Sequence, residues 1–208
     1  MNKIVKFGKI TTSRQELIDI TKAWLALSLA FTFVFSGMSL LSSGAGFANL
    51  FSFDFLKLFL ISLFTAGIGF LFHELGHKFV AQKYGCVAEF RAFDNMLYLA
   101  VGLAVAIGFI FAAPGAVMIS GMVTRKENGI ISVAGPLVNY VLGMIFLGLA
   151  FAFPGLRYIF TVGFSINMWL GLFNMIPFGN FDGIKILAWN RYVWVAMAVF
   201  GGFFVFFF

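Results

Sequence analysis

Residues 55–80 read FLKLFLISLFTAGIGFLFHELGHKFV, an apolar run interrupted near its far end by His73-Glu74-Leu75-Gly76-His77. As a helix rising ~1.5 Å per residue, the run is long enough to cross a ~30 Å hydrocarbon core. Histidines four apart fall on one helical face, about one turn from each other. Two imidazole nitrogens so spaced can hold one Zn²⁺, and the intervening glutamate can reach a water on that ion. The chain has no other histidine. Ionisable groups inside an apolar span cost at least ~2.5 kcal/mol each, so a His, a Glu and a His together require compensation. A bound metal supplies it, which favours a metal site over two histidines that merely pack between helices.

The bulk composition agrees with a membrane setting. Of 208 residues, 62% are hydrophobic and 11% charged, with a mean hydropathy of +1.01, outside the range of soluble domains. The length suits one bundle. The net charge of +6 reads as the excess of basic residues in cytoplasmic loops, not as a nucleic-acid footprint. The single cysteine, Cys86, excludes an intrachain disulfide and a cysteine-based zinc cluster. No cleavable signal peptide is evident, since a polar-rich stretch precedes the first apolar run.

Residues 1–22 form a basic cytoplasmic lead-in with Lys3, Lys6, Lys9, Arg14 and Lys22. Ser13 followed by Glu16 is a capping box, starting a helix that runs into a first span at about Ala23–Leu41. Ser42 to Asn49 is a Gly/Ser-rich outer loop without basic residues. In the second span, His73 lies 16 residues after Lys57 but only five before Lys78. That places the metal roughly 10 Å beneath the cytoplasmic face.

A polar cytoplasmic return follows, with Lys83, Arg91 and Asp94, and then the apolar run Met96–Ala113. Ala116–Thr124 alternates as a strand does, and Asn128-Gly129 signals a hairpin turn back along Ile130–Val133. Pro136 suits the first turn of a helix reaching about Phe153. Tyr158–Ile176 spans again, Pro177 breaks that helix, and Tyr192–Phe208 is a last, Phe-rich span. The expectation is an all-α polytopic membrane protein of about six membrane segments, with residues 23–208 as one domain.

Met96–Ala113 could cross the bilayer or dip into it and return. A full crossing leaves nine basic residues inside and five outside; a dip that turns at Pro114-Gly115 leaves twelve inside and only Lys57 and Arg157 outside, from the same fourteen. The second count obeys the positive-inside rule better, so the segment is expected to be re-entrant, with the short β-hairpin as its return. It also keeps Asn139 and Asp182 at the cytoplasmic level of His73 and His77.

A catalytic zinc usually takes three protein ligands. The third here must be an acid or Cys86. Glu16, Asp19, Asp54, Glu89, Asp94 and Glu127 lie in polar segments. Asp182 alone follows a broken membrane helix, where irregular backbone must be buried or line a cavity. Its competing role is to cap a short helix starting near Ile184.

Three stretches then resemble the motifs of a known family: His73-Glu74-x-x-His77 within a membrane helix, Ala134-Gly135-Pro136-Leu137-Val138-Asn139, and Asn174-Met175-Ile176-Pro177…Asp182-Gly183. In this order they look like those of the site-2 proteases, zinc metalloproteases that cut substrates within the membrane. The resemblance implies His73, His77 and Asp182 as ligands of one Zn²⁺ per chain and Glu74 as general base. It implies a transmembrane protein as substrate, and a multi-pass protein of the cell membrane with its N-terminus and active site on the cytoplasmic side. The form Asn180-Phe181-Asp182 departs slightly from the Leu-Asp-Gly of many members but keeps the acid. Asn139 reads equally as an interhelical hydrogen bonder and as an amide that holds substrate or an oxyanion, and the resemblance favours the second. Asn174 reads as support for the break at Pro177. The edge of the hairpin is a place where an extended substrate could pair.

The alternative is a membrane metal-binding protein or transporter. Transport calls for polar groups continuing to the outer face, and between Lys57 and His73 the run offers only Ser62 and Thr65.

Overall fold

The computed structural model describes residues 4–7, 10–41, 49–110 and 114–208. Most of the expected outer loop, residues 42–48, lies outside them, as do Lys3 and Lys9. The chain forms two compact units, Met1–Ile68 with Phe90–Ala116 and Gly69–Glu89 with Val117–Phe208.

In the first unit residues 4–7 and 10–22 of the lead-in are structured. Strands β1 (Ile4–Phe7) and β2 (Ile10–Ser13) pair antiparallel, Ile4 opposite Ser13. Helix α1 (Arg14–Ser36) starts where the capping pattern places it, with Ser13 Oγ accepting from the Glu16 N–H at 3.1 Å. The buried Glu16 carboxylate accepts from the Thr12 hydroxyl at 2.6 Å and the Phe90 N–H at 2.9 Å. Helix α2 (Phe53–Ser62) continues through a π turn, Leu63–Gly67, whose Leu63 carbonyl accepts from Trp24 Nε1 at 3.1 Å. Helix α4 (Asp94–Ile107) packs on α1 around Ala30, Phe33, Met38 and Ala104.

Helix α4 ends at Gly108, whose φ of 71° suits glycine, and Pro114-Gly115 is not the far turn expected of it. Pro114 is already back beside the start of the excursion, its carbonyl accepting from the Phe93 N–H at 3.0 Å. At the far end of α4 the carbonyls of Val105 and Ala106 accept from the Leu40 and Leu41 N–H groups at 2.9 and 3.3 Å.

Helix α3 (Ile68–Lys83) continues the π turn, so Phe53–Lys83 is one apolar helix of 31 residues. Strands β3 (Val87–Ala92) and β4 (Gly115–Ser120) pair with each other. The second unit holds α5 (Arg125–Ala152), α6 (Arg157–Asn174), α7 (Asp182–Trp189) and α8 (Arg191–Phe206). Its core is Tyr140, Phe164, Met168, Met175, Ile186 and Met197.

The expected Val117–Val133 hairpin does not form. Thr124 and Glu127 make a full capping box, the Thr124 N–H donating to Glu127 Oε2 at 2.7 Å and the Glu127 N–H to Thr124 Oγ1 at 3.2 Å. The helix therefore begins at Arg125 and runs through Asn128-Gly129, where the Trp189 side chain packs against Gly129. The partner of β4 is β3, from the stretch expected to be a plain polar return. Pro136 lies inside α5, not in its first turn.

Among the described residues, four helices are long and apolar enough to cross a membrane: Arg14–Ser36, Phe53–Lys83, Arg125–Ala152 and Pro154–Asn174. Helices α4 and α8 are apolar but shorter.

Candidate metal centre

His73 and His77 lie on the face of α3 that meets α5, and small residues let the helices approach. Gly76 faces the Ala134 carbonyl, with a Cβ there only 3.1 Å from the oxygen. Across from it, Gly135 lies against both Nε2 atoms, so that any side chain would enter the space between the rings. Pro136 has no N–H for the Ser132 carbonyl, which loosens the α5 ladder in the turn that faces α3.

The imidazoles are held from behind. The His77 Nδ1–H donates to the Ile131 carbonyl at 2.8 Å. His73 Nδ1 is 2.6 Å from Asn139 Oδ1. Asn139 donates both amide hydrogens, to the Gly69 carbonyl and to Asn167 Oδ1, each at 3.1 Å. Carbonyls only accept, so the Asn139 amide orientation follows, and with it the proton on His73 Nδ1. In the neutral rings both Nε2 atoms therefore present lone pairs. They face each other at 3.0 Å, and Asp182 Oδ2 completes a triangle at 3.2 Å from His73 and 3.1 Å from His77.

Three electron-pair donors this close, with no proton assigned between them, repel one another unless a cation sits among them. Tetrahedral Zn²⁺ with bonds of about 2.0–2.1 Å sets its ligand atoms about 3.3 Å apart, close to this triangle. The donor set, two imidazoles and a carboxylate, is of the kind found in catalytic zinc sites. Asp182, itself buried, closes the third side of the triangle. It is the first residue of α7, and Gly183 after it packs on the Met175 and Ile176 carbonyls where the chain turns out of α6.

Glu74, next along α3, is half-buried, and its Oε2 accepts from the Val117 N–H of β4 at 3.1 Å. Asn174 donates to the Leu170 carbonyl at 2.9 Å, within its own helix. Cys86 is buried against Ala81, Ala88 and Ile131 and is not in the group of converging donors. Sequence reasoning thus reached every donor in the triangle, but gave no role to Gly135, quoted only as part of a motif, and missed the Ile131 carbonyl and Asn167. Asn167 alone carried a readable signal, as the one amide in the apolar run Tyr158–Phe173.

The chain is 41% identical over 191 residues to a protein of Methanocaldococcus jannaschii named "Putative zinc metalloprotease MJ0611", which covers 90% of this chain and 91% of that one. The chain belongs to the site-2 protease family of zinc metalloproteases. A second protein of that organism, "Zinc metalloprotease MJ0392", is 29% identical over 76% of this chain and 39% of its own length. "Putative zinc metalloprotease YwhC" of Bacillus subtilis is 28% identical over 59% of this chain and 65% of its own. No family model and no solved structure matches.

Proposed function

We propose that this chain is an intramembrane zinc endopeptidase that hydrolyses peptide bonds in or near the transmembrane segments of other membrane proteins. The observation that carries the reading is the convergence of His73 Nε2, His77 Nε2 and Asp182 Oδ2 beside Glu74, on a helix long and apolar enough to span a bilayer. Zn²⁺ held there supplies a Lewis acid for the scissile carbonyl and acidifies water. Glu74 accepts the proton of the attacking water and passes it to the leaving amine. The Val117 N–H fixes the carboxylate for that task. Asn139, with both amide hydrogens already donated, has the role of orienting His73, not of binding an oxyanion.

The same Val117 contact identifies the edge of β4 that is turned away from β3. Alternate residues present their backbone groups to one edge, so Ile119 offers its N–H and C=O there too. An extended substrate added along this edge would expose its peptide bonds beside Glu74.

The reading is tested by incubating the purified protein with a panel of single-span substrates, with zinc or with a chelator. Cleavage that a chelator abolishes and zinc restores is expected; chelator-resistant cleavage, or zinc binding without any cleavage, rejects it.

The topology is a proposal as well: six membrane segments, the third re-entrant, with the N-terminus and metal on the cytoplasmic side. The Phe93–Pro114 hydrogen bond supports the dip, because it brings the residue before α4 and the residue before β4 to one point. So do the carbonyls at the end of α4, which find protein donors as irregular backbone in a bilayer must. Lys126→Cys in a Cys86→Ser background should react with a membrane-impermeant thiol reagent from the cytoplasmic side. Reaction only from outside would overturn the topology.

A further inference from the structure

We infer that Asn167 is a positioning residue for the metal centre: it sets the amide of Asn139, and through it the His73 lone pair that a metal needs. The inference rests on the functional reading above and adds to it a residue that touches neither metal nor substrate.

Asn167 sits on α6, with 0% of its surface exposed. Its Nδ2 donates to the Gly163 carbonyl one turn back, at 2.8 Å. A carbonyl cannot donate, so this bond settles which end of the Asn167 amide is oxygen. That oxygen faces Asn139 and accepts from Asn139 Nδ2 at 3.1 Å. The Asn139 oxygen is thereby turned to His73 Nδ1, 2.6 Å away, and the His73 proton is kept on Nδ1. Each link hands its polarity to the next: Gly163 carbonyl, Asn167, Asn139, His73. A flipped Asn139 would set an N–H against the His73 N–H and leave His73 to lose either its orientation or its tautomer. Partners of this kind behind a ligating histidine fix the ring and raise its basicity, and their loss typically weakens metal binding about 10- to 100-fold.

A second feature serves the same chain of bonds. Gly69 packs on Asn167, and a Cβ there would strike Asn167 Oδ1, with the Asn167 amide carbon and nitrogen next nearest at 3.1 and 3.2 Å. A methyl at 69 would displace the amide from Asn139. The Gly69 carbonyl also accepts from Asn139, so Asn167 is one of two anchors, and its loss should weaken the metal rather than abolish it.

The test measures Zn²⁺ affinity of the full-length protein in detergent, by competition with a chromophoric chelator, for wild type, Asn167→Leu, Asn139→Leu, the double variant and Gly69→Ala. Thermal melting of each zinc-free protein serves as the folding control. Asn167→Leu should weaken zinc about tenfold, Asn139→Leu by at least as much, and the double variant no more than Asn139→Leu alone. A residue that supports the fold in general would instead add its loss in both backgrounds. Gly69→Ala should weaken zinc like Asn167→Leu, and it carries the test alone if the leucine variant does not fold. Wild-type affinity in both Asn167→Leu and Gly69→Ala, or additive losses in the double variant, overturns the inference. Failure of the wild type itself to bind zinc overturns instead the functional reading on which it rests.

Discussion

Glu74→Gln protein should purify folded, hold zinc as the wild type does, and cleave nothing measurable. The substitution exchanges a carboxylate for an amide of the same shape. The amide oxygen can still accept from the Val117 N–H, so the link between α3 and β4 survives. His73, His77 and Asp182 are untouched, and so are the Asn139 and Ile131 groups behind the rings. What disappears is the capacity to take a proton near neutral pH. Positioned general bases contribute about 10²–10⁴-fold, and here the same group must also return the proton to the leaving amine, which places the loss at the upper end. Activity and zinc content should be measured on one preparation, against a single-span substrate that the wild type cuts. Retention of more than roughly a few per cent of the rate would exclude Glu74 as the base. Equal loss of zinc would show that the substitution had disturbed the site.

Local spacing made the centre of the site legible. The two histidines and Glu74 are read from helical periodicity alone, because α3 is one uninterrupted helix there. Asp182 is read from its setting, since an acid after a membrane helix broken at Pro177 needs a partner. Gly135 and Asn167 act through approach between helices distant in the chain, and no local pattern records that a Cβ at 135 would meet two imidazoles. The hairpin expectation fails where two local signals compete. Asn128-Gly129 favours a turn and Thr124-x-x-Glu127 a helix start; the capping bonds, together with Trp189 packed on Gly129, decide for the helix. Residues Val87–Ala92 carry Glu89 and Arg91, and those charges read as a solvated loop. Their strand character comes from pairing with β4, a contact distant in the chain.

Gly135→Ala should remove zinc from the protein as completely as Asp182→Ala does, although it deletes no ligand. In a helix interior alanine is favoured over glycine by up to about 1 kcal/mol, so the backbone of α5 has no objection to the change. The objection is spatial. The added carbon would lie against His73 Nε2 and His77 Nε2 at once, in the region where an ion about 2.0–2.1 Å from both nitrogens has to sit. Either the methyl takes the ion's place, or α3 and α5 separate. Separation would stretch the contact at Gly76 and draw His77 from the Ile131 carbonyl and His73 from Asn139. Both outcomes empty the site. Asp182→Ala empties it by removing one of three donors, whereas Asp94→Ala should not, because Asp94 is exposed and paired with Lys22 at 3.1 Å. Metal analysis of the three purified variants, with melting curves to establish folding, separates these cases. Zinc near one per chain in folded Gly135→Ala would mean that the ion does not lie between the two Nε2 atoms, and the proposed coordination would fall with it.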